Sequence, residues 1–235
     1  MSWLTFWNGT HSIYAGPRHK ALHYEIIARD IAALIPSGAG TVLDYGCGEA
    51  TSAALVANQC QQLLLYDAAP RVRALLADLY QTTPRIRVLD EQALAAIPDR
   101  SLSVIVANSL AQYLTKNELA ALLDSWSQKL KPYGLLLLGD IIPPDANAFG
   151  DAAGLLKFGW AEGFFVTAVC SLAKTLFSDY RQLRQSLGLS RYSATDMIAL
   201  MQAHGLIAER APSNIGHNQC RMLFKATLKP ASLPV

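Results

Sequence analysis

The chain has no run of like charge. Its 20 Lys and Arg and 18 Asp and Glu leave a net charge of +2 over 235 residues. The basic residues are scattered, not gathered into the stripe that tracks a phosphate backbone, so nucleic acid is not expected as the main partner. Cysteine is sparse, and Cys47, Cys60, Cys170 and Cys220 show neither metal-ligand spacing nor a disulfide framework. A reducing cytoplasm suits them, and no metal is expected. Long apolar runs are missing too. The stretch from Phe164 to Ala173 stops at Lys174, whereas a membrane helix needs about 20 such residues. Met1 to Gly16 lack the charged-then-apolar layout of a signal peptide, which again points to the cytoplasm. What the chain does have is core: 51% hydrophobic against 16% charged residues, enough to fold as one large domain or one domain with an insertion.

That core is punctuated once in a telling way. Thr41-Val42-Leu43-Asp44 is a short apolar strand ending on an acid, and Tyr45-Gly46-Cys47-Gly48 is a glycine-marked turn. Small and apolar residues from Thr51 to Ala57 then predict a helix packed on a sheet. Glycines belong where φ must be unusual or a ligand must approach the backbone. The N-terminus of the following helix is expected to offer unpaired N–H groups. A second apolar run, Leu63 to Tyr66, closes on Asp67, about twenty residues beyond the turn, the place where an α/β nucleotide site holds ribose hydroxyls.

Val42 to Gly48 together with Asp67 resemble the first motif and the ribose-binding acid of class I S-adenosylmethionine-dependent methyltransferases. The nicotinamide and flavin fingerprint Gly-x-Gly-x-x-Gly is not met, because Thr51 stands three residues after Gly48. Ala50 stands where many members of the family carry a third glycine, and it is small enough for close helix–strand packing. The resemblance covers roughly residues 40–140 and, less specifically, the last strand pair. It implies an α/β, Rossmann-like three-layer sandwich: a seven-stranded, mostly parallel sheet with an antiparallel last strand and a helical insertion after strand 5. It implies S-adenosyl-L-methionine as cofactor and S-adenosyl-L-homocysteine as product. Carried onto this chain, the cofactor-binding residues are Tyr14, Asp44, Gly46, Cys47, Gly48, Asp67, Ala68, Glu91, Gln92, Asn108 and Ser109. Glu91 would accept from the adenine amine.

Along the chain, residues 1–36 are expected to form an aromatic arm (Trp3, Phe6, Trp7, His11, Tyr14, His19) and a helix from Ala21 to Leu34. The arm is either a lid over the ligand or aromatic packing over the core. Residues 37–235 make a single domain. Its predicted strands are 41–44, 63–66, 85–89, 102–107, 135–138, 206–210 and 221–228, and Lys131-Pro132-Tyr133-Gly134 reads as a turn. A capping box, Thr115 with Glu118, opens a helix to about Leu130. Right-handed crossovers put the strands' carboxyl ends, with Asp44, Asp67, Glu91, Asn108 and Asp140, on one rim. A helical cap, 141–192, with helices at 145–161 and 164–187, is placed either to roof a substrate pocket or to cover a homodimer interface.

Methyl transfer from a sulfonium is a displacement in which positioning supplies much of the rate. A hydroxyl acceptor gains from a base near neutral pKa, and the candidates are His217, His19, His11 and Asp140. Asn108-Ser109-Leu110 departs from the Asp/Asn-Pro-Pro motif of amino-methylating members, which speaks against adenine, cytosine or glutamine amides as targets. The expectation is a methyltransferase for a small, largely apolar molecule. The alternatives are a non-catalytic cofactor-binding module and a macromolecule methyltransferase.

Overall fold

The structure, a computed structural model, describes residues 2–9, 14–175 and 188–229, and the statements below concern those residues. His11 and the predicted helix beyond residue 175 lie outside them. In chain order the elements are α1 (Trp3–Trp7), α2 (Pro17–Leu34), β1 (Ala39–Tyr45), α3 (Ala53–Ala57), β2 (Cys60–Tyr66), α4 (Pro70–Leu79), β3 (Ile86–Val88), α5 (Glu91–Ala95) and β4 (Leu102–Asn108). There follow α6 (Lys116–Lys129), β5 (Leu130–Ile141), α7 (Ala148–Ala161), α8 (Phe165–Thr175), α9 (Ala194–Ala203), β6 (Leu206–Arg210) and β7 (Met222–Leu228).

The seven strands form one sheet in the order β3-β2-β1-β4-β5-β7-β6. β7 runs antiparallel to both β5 and β6, and the other pairs are parallel. Alternation of side chains divides the strands' residues between two cores. Val42 joins Ala28, Ile31 and Leu76 on one face, while Leu43 joins Leu123, Trp126 and Met201 on the other. The result is three layers. Leu136, Leu137 and Leu138 are all fully buried, as a central strand covered on both faces must be. Strand order reverses between β1 and β4, and a sheet of this kind binds its ligand at such a switch point, beyond the carboxyl ends.

The capping box forms as read: the Thr115 side chain accepts from the Glu118 N–H, and Glu118 accepts from the Thr115 N–H. Lys131 to Gly134 does not form a free turn between elements. It is a bulge inside β5, because Leu102 of β4 pairs with Leu130 and Val104 with Leu135, so the residues between loop outward. Tyr133 stands 94% exposed at its tip with φ +62°. A Cβ on Gly134 would lie 2.9 Å from the Lys131 carbonyl and 3.2 Å from the Leu102 carbonyl. Neither backbone oxygen has room to retreat, so Gly134→Ala is expected to cost about 2 kcal/mol, read as a lower urea midpoint with unchanged slope.

The arm contains a short helix. Ser2 caps α1 by accepting from the Thr5 N–H, and Phe6 is fully buried. The Trp3 ring lies 4.6 Å from that of Tyr113, just beyond β4. Further along the arm, Asn8 Oδ1 accepts from the Arg71 N–H at 3.0 Å, and the Arg71 side chain donates to the Gly9 carbonyl. The arm therefore crosses the rim from the start of α4 to the end of β4.

Candidate active site

Beneath the arm and between α2, the rim and α7 lies a cavity of about 1250 Å³. That exceeds the roughly 300–1,000 Å³ usual for one small ligand. Tyr14, Asp44, Gly46, Cys47, Gly48, Asp67, Ala68, Asn108, Ser109, Asp140 and His217 all line it. Three residues named from the sequence do not. Glu91 opens α5 and pairs with Arg73 at 2.8 Å with most of its side chain in solvent, and Gln92 beside it is exposed. His19 is buried behind the wall: its Nδ1 accepts from the Ala15 N–H at 3.0 Å and its ring stacks on Phe164 at 5.0 Å. His19 thus stands in the packing between α2 and the cap, off the cavity wall.

The glycine turn differs in detail from its sequence reading. Gly46 and Gly48 have φ of +74° and +58°, so each is where a side chain would strain the backbone. Yet the turn's amides are committed within the protein. Gly46 and Cys47 both donate to the Tyr66 carbonyl, at 2.7 and 3.1 Å. Gly48 N–H donates to Asp67 Oδ2 at 3.0 Å, and Glu49 N–H donates to the Tyr24 hydroxyl at 3.0 Å. The helix that follows is only five residues long, and the Ala53 N–H at its start is taken by the Tyr80 hydroxyl, which donates in turn to the Ala50 carbonyl. The amides of Gly46 to Glu49 and of Ala53 are thus taken within the protein, and unpaired donors are not found at those positions. Tyr24 and Tyr80, which sequence reasoning did not single out, hold the turn from either side. The only sequence signal for Tyr24 is its position one turn after Lys20 on the helix that faces the motif.

Two acids meet at the turn. Asp67 Oδ1 also accepts from the Ala69 N–H at 2.9 Å. Asp44 is buried, and no Lys or Arg among the described residues pairs with it. Burial first, then the charge of Asp67, pushes the Asp44 carboxyl up to about 7. A buried acid poised in this way favours a cationic ligand, whose charge would offset the loss of water.

At the ends of β4 and β5, Ser109 and Asp140 adopt φ of +58° and +59°, sparsely populated for residues with side chains. Ser109 Oγ donates to Asp140 Oδ2 at 2.7 Å, and Asn214 Oδ1 accepts from the Asp140 N–H at 3.0 Å. Burial raises the Asp140 carboxyl, opposed by nearby Arg221 and by the Ser109 bond. Arg221 Nη2 spans both oxygens of Asp151 at 2.7 and 2.9 Å and so pins α7 to the rim. The farther end of the cavity carries His217, stacked on Phe158 at 4.5 Å, with the His23 ring 6.1 Å away. Burial lowers both imidazoles, His23 to about 3. Among the described residues no His, Cys, Asp and Glu side chains group to hold a metal ion. None of their helices is long and apolar enough to cross a membrane.

Residues 42–134 match a family model described as a methyltransferase domain. The matched stretch runs from β1 into β5 and takes in Asp44, the glycine turn and Asp67. Solved structures of similar fold include a chain of the complex between the Haloferax volcanii Trm112 methyltransferase activator and a methyltransferase, with a TM-score of 0.61. The two are 14% identical, over 97% of this chain and 99% of that one. DhpI bound to S-adenosylhomocysteine matches with a TM-score of 0.62 and 10% identity, over 97% of this chain and 96% of that one. Magnesium protoporphyrin IX methyltransferase from Synechocystis PCC 6803 with bound S-adenosylmethionine gives 0.56 and 12%, over 97% and 89%. At these identities the likeness speaks to the fold. No curated protein sequence matches the chain.

Proposed function

We propose that the protein moves a methyl group to a small, largely apolar molecule, at oxygen or nitrogen, within the cavity under the arm. The observation that carries this is the partial cover that arm, cap and last loop give the cavity. Trp3 and Trp7 of the arm, Leu155 of α7 and Ile215 and His217 of the last loop all face one space. An extended nucleic acid or polypeptide would have to lift that cover. In this reading the arm is a lid belonging to residues 1–36, and the cap 141–192 is the roof of a single domain, 37–235.

S-adenosylmethionine, when bound, supplies an electrophilic methyl on a positively charged sulfur. The residues present fit such a ligand. Asp67 would hold the ribose hydroxyls, and Asp44 offers a buried negative charge. Gly46, Cys47 and Gly48 let the backbone come close, and Ala68, Asn108 and Ser109 border the nucleoside. Tyr14 closes the amino-acid side. Glu91 and Gln92 would serve the adenine only from outside the wall. On the acceptor side, His217 is a neutral imidazole able to take a hydroxyl proton, and Asp140, held by Ser109, would orient the acceptor.

The Trm112 complex among the similar structures favours a second reading, a macromolecule methyltransferase served by an activator. The scattered charge of this chain weighs against it. A homodimer through the cap remains part of the proposal, since Trp160 and Val166 are 76% and 74% exposed there. Titration calorimetry with S-adenosylhomocysteine, followed by assays of phenols and of RNA and protein acceptors with labelled S-adenosylmethionine, tests the reading. Micromolar binding with transfer to phenols alone is expected; transfer only to RNA or protein overturns it.

A further inference from the structure

The committed amides of the glycine turn leave a question: what holds the amino-acid end of the ligand? α2 supplies an answer. The Tyr24 hydroxyl lies over the turn, 3.0 Å from where a Gly48 side chain would begin. Its oxygen accepts twice, from the Glu49 N–H and from the Tyr14 hydroxyl, each at 3.0 Å. A phenol oxygen has two acceptor sites and one proton. With both acceptor sites filled, the one proton is the only bonding capacity left, and no acceptor for it stands among the described residues. The hydroxyl is therefore a donor fixed in direction by two partners, on the wall of the cavity. Burial pushes the phenol up to about 12, so it keeps its proton across the physiological range.

One helical turn earlier, Lys20 lines the same wall and pairs with Glu49. A half-buried ion pair beside a fixed donor, with the buried Asp44 behind, presents both signs of charge to one small region. That pattern complements a zwitterion: a carboxylate for Tyr24 and Lys20, an ammonium for Glu49 and Asp44.

We infer that Tyr24, with Lys20, is the carboxylate-binding element for the α-amino-acid end of the cofactor, the role the turn amides would otherwise fill. The inference rests on the reading of this cavity as the S-adenosylmethionine site. It makes α2 a determinant of specificity, separating ligands with an amino-acid tail from plain nucleosides.

The experiment compares two probes by calorimetry. S-adenosylhomocysteine has the amino-acid tail, and 5′-methylthioadenosine keeps the nucleoside and thioether without it. Tyr24→Phe retains the ring and removes the hydroxyl. It is expected to weaken S-adenosylhomocysteine about tenfold, the scale of one hydrogen bond to a charged group, and to change 5′-methylthioadenosine by less than about twofold. Lys20→Met is expected to show the same split. Equal loss for both probes would mean that Tyr24 only shapes the turn, and unchanged affinity for S-adenosylhomocysteine would mean that it touches nothing; either overturns the inference. Failure of the unmodified protein to bind S-adenosylhomocysteine at all is a separate outcome, and it removes the cofactor reading itself.

Discussion

Asp67→Ala is expected to weaken S-adenosylhomocysteine binding by about 100-fold or more, the largest effect of any single change on the cofactor side. The carboxylate does two things at once. It would accept from the ribose hydroxyls, and it already accepts from the Gly48 and Ala69 amides, at 3.0 and 2.9 Å. Alanine leaves both amides without their partner, at about 1–3 kcal/mol for a buried donor, so the turn relaxes as the ligand contact is lost. Asp67→Asn keeps one acceptor oxygen and is expected to fall between alanine and the unmodified protein. Calorimetry of the three forms, with melting temperatures alongside, separates ligand contact from turn geometry. If the alanine variant binds as tightly as the original, the nucleoside does not lie along this edge of the sheet.

His217→Gln is expected to lower kcat for a phenolic acceptor by about 100-fold or more, within the range for a positioned base, while leaving the affinity for S-adenosylhomocysteine unchanged. The pH profile is the sharper readout. Burial lowers the His217 imidazole below its ordinary range, so the base form persists to lower pH than a solvent-exposed histidine would allow. In the unmodified enzyme kcat/KM should stay flat as pH falls through about 6.5, the ordinary imidazole value, and drop only in more acid solution. In His217→Gln that acid limb should vanish. A glutamine variant with full activity would assign the proton to solvent or to Asp140.

The same groups set a stability trend. His19 and His23 are lowered to about 4 and 3, and His217 in the same direction, all first by burial. At these three sites the unfolded chain binds more protons than the folded one once pH drops below about 6.5, so their contribution to stability declines toward acid, while Asp44, raised to about 7, acts in the opposite sense over the same range. The three rings lie within 6.1–6.3 Å of one another, so the charging of one opposes the charging of the others.

Much of the frame was legible because it rests on short-range pattern. The run Val42-Leu43-Asp44 and its glycine turn, the acid at Asp67 and the box at Thr115 each carry their meaning within a few residues. What escaped depends on partners far apart in sequence. Tyr80 reaches back 30 positions to the Ala50 carbonyl and Tyr24 forward 25 to the Glu49 amide; no periodicity in α2 or α4 marks either ring as more than a helix residue. The helix after the turn starts late because Ala50, at φ +33°, turns the chain once more where a regular helix was expected. Lys131 to Gly134 has the composition of a turn, and its inclusion in β5 is decided by pairing with β4. His19 and His217 look alike on paper, and only the fold sets one against Phe164 and the other on the cavity wall.

Among the described residues the arm is fastened by Asn8 and Gly9 to Arg71 and by Trp3 and Trp7 to Tyr113. In the function proposed above, donor and acceptor both lie below that one strap. Traffic into and out of the two is then governed by a common door. In that reading the spent nucleotide leaves only by uncovering the acceptor's seat as well, and the pace of repeated turnover should follow how readily those two fastenings let go.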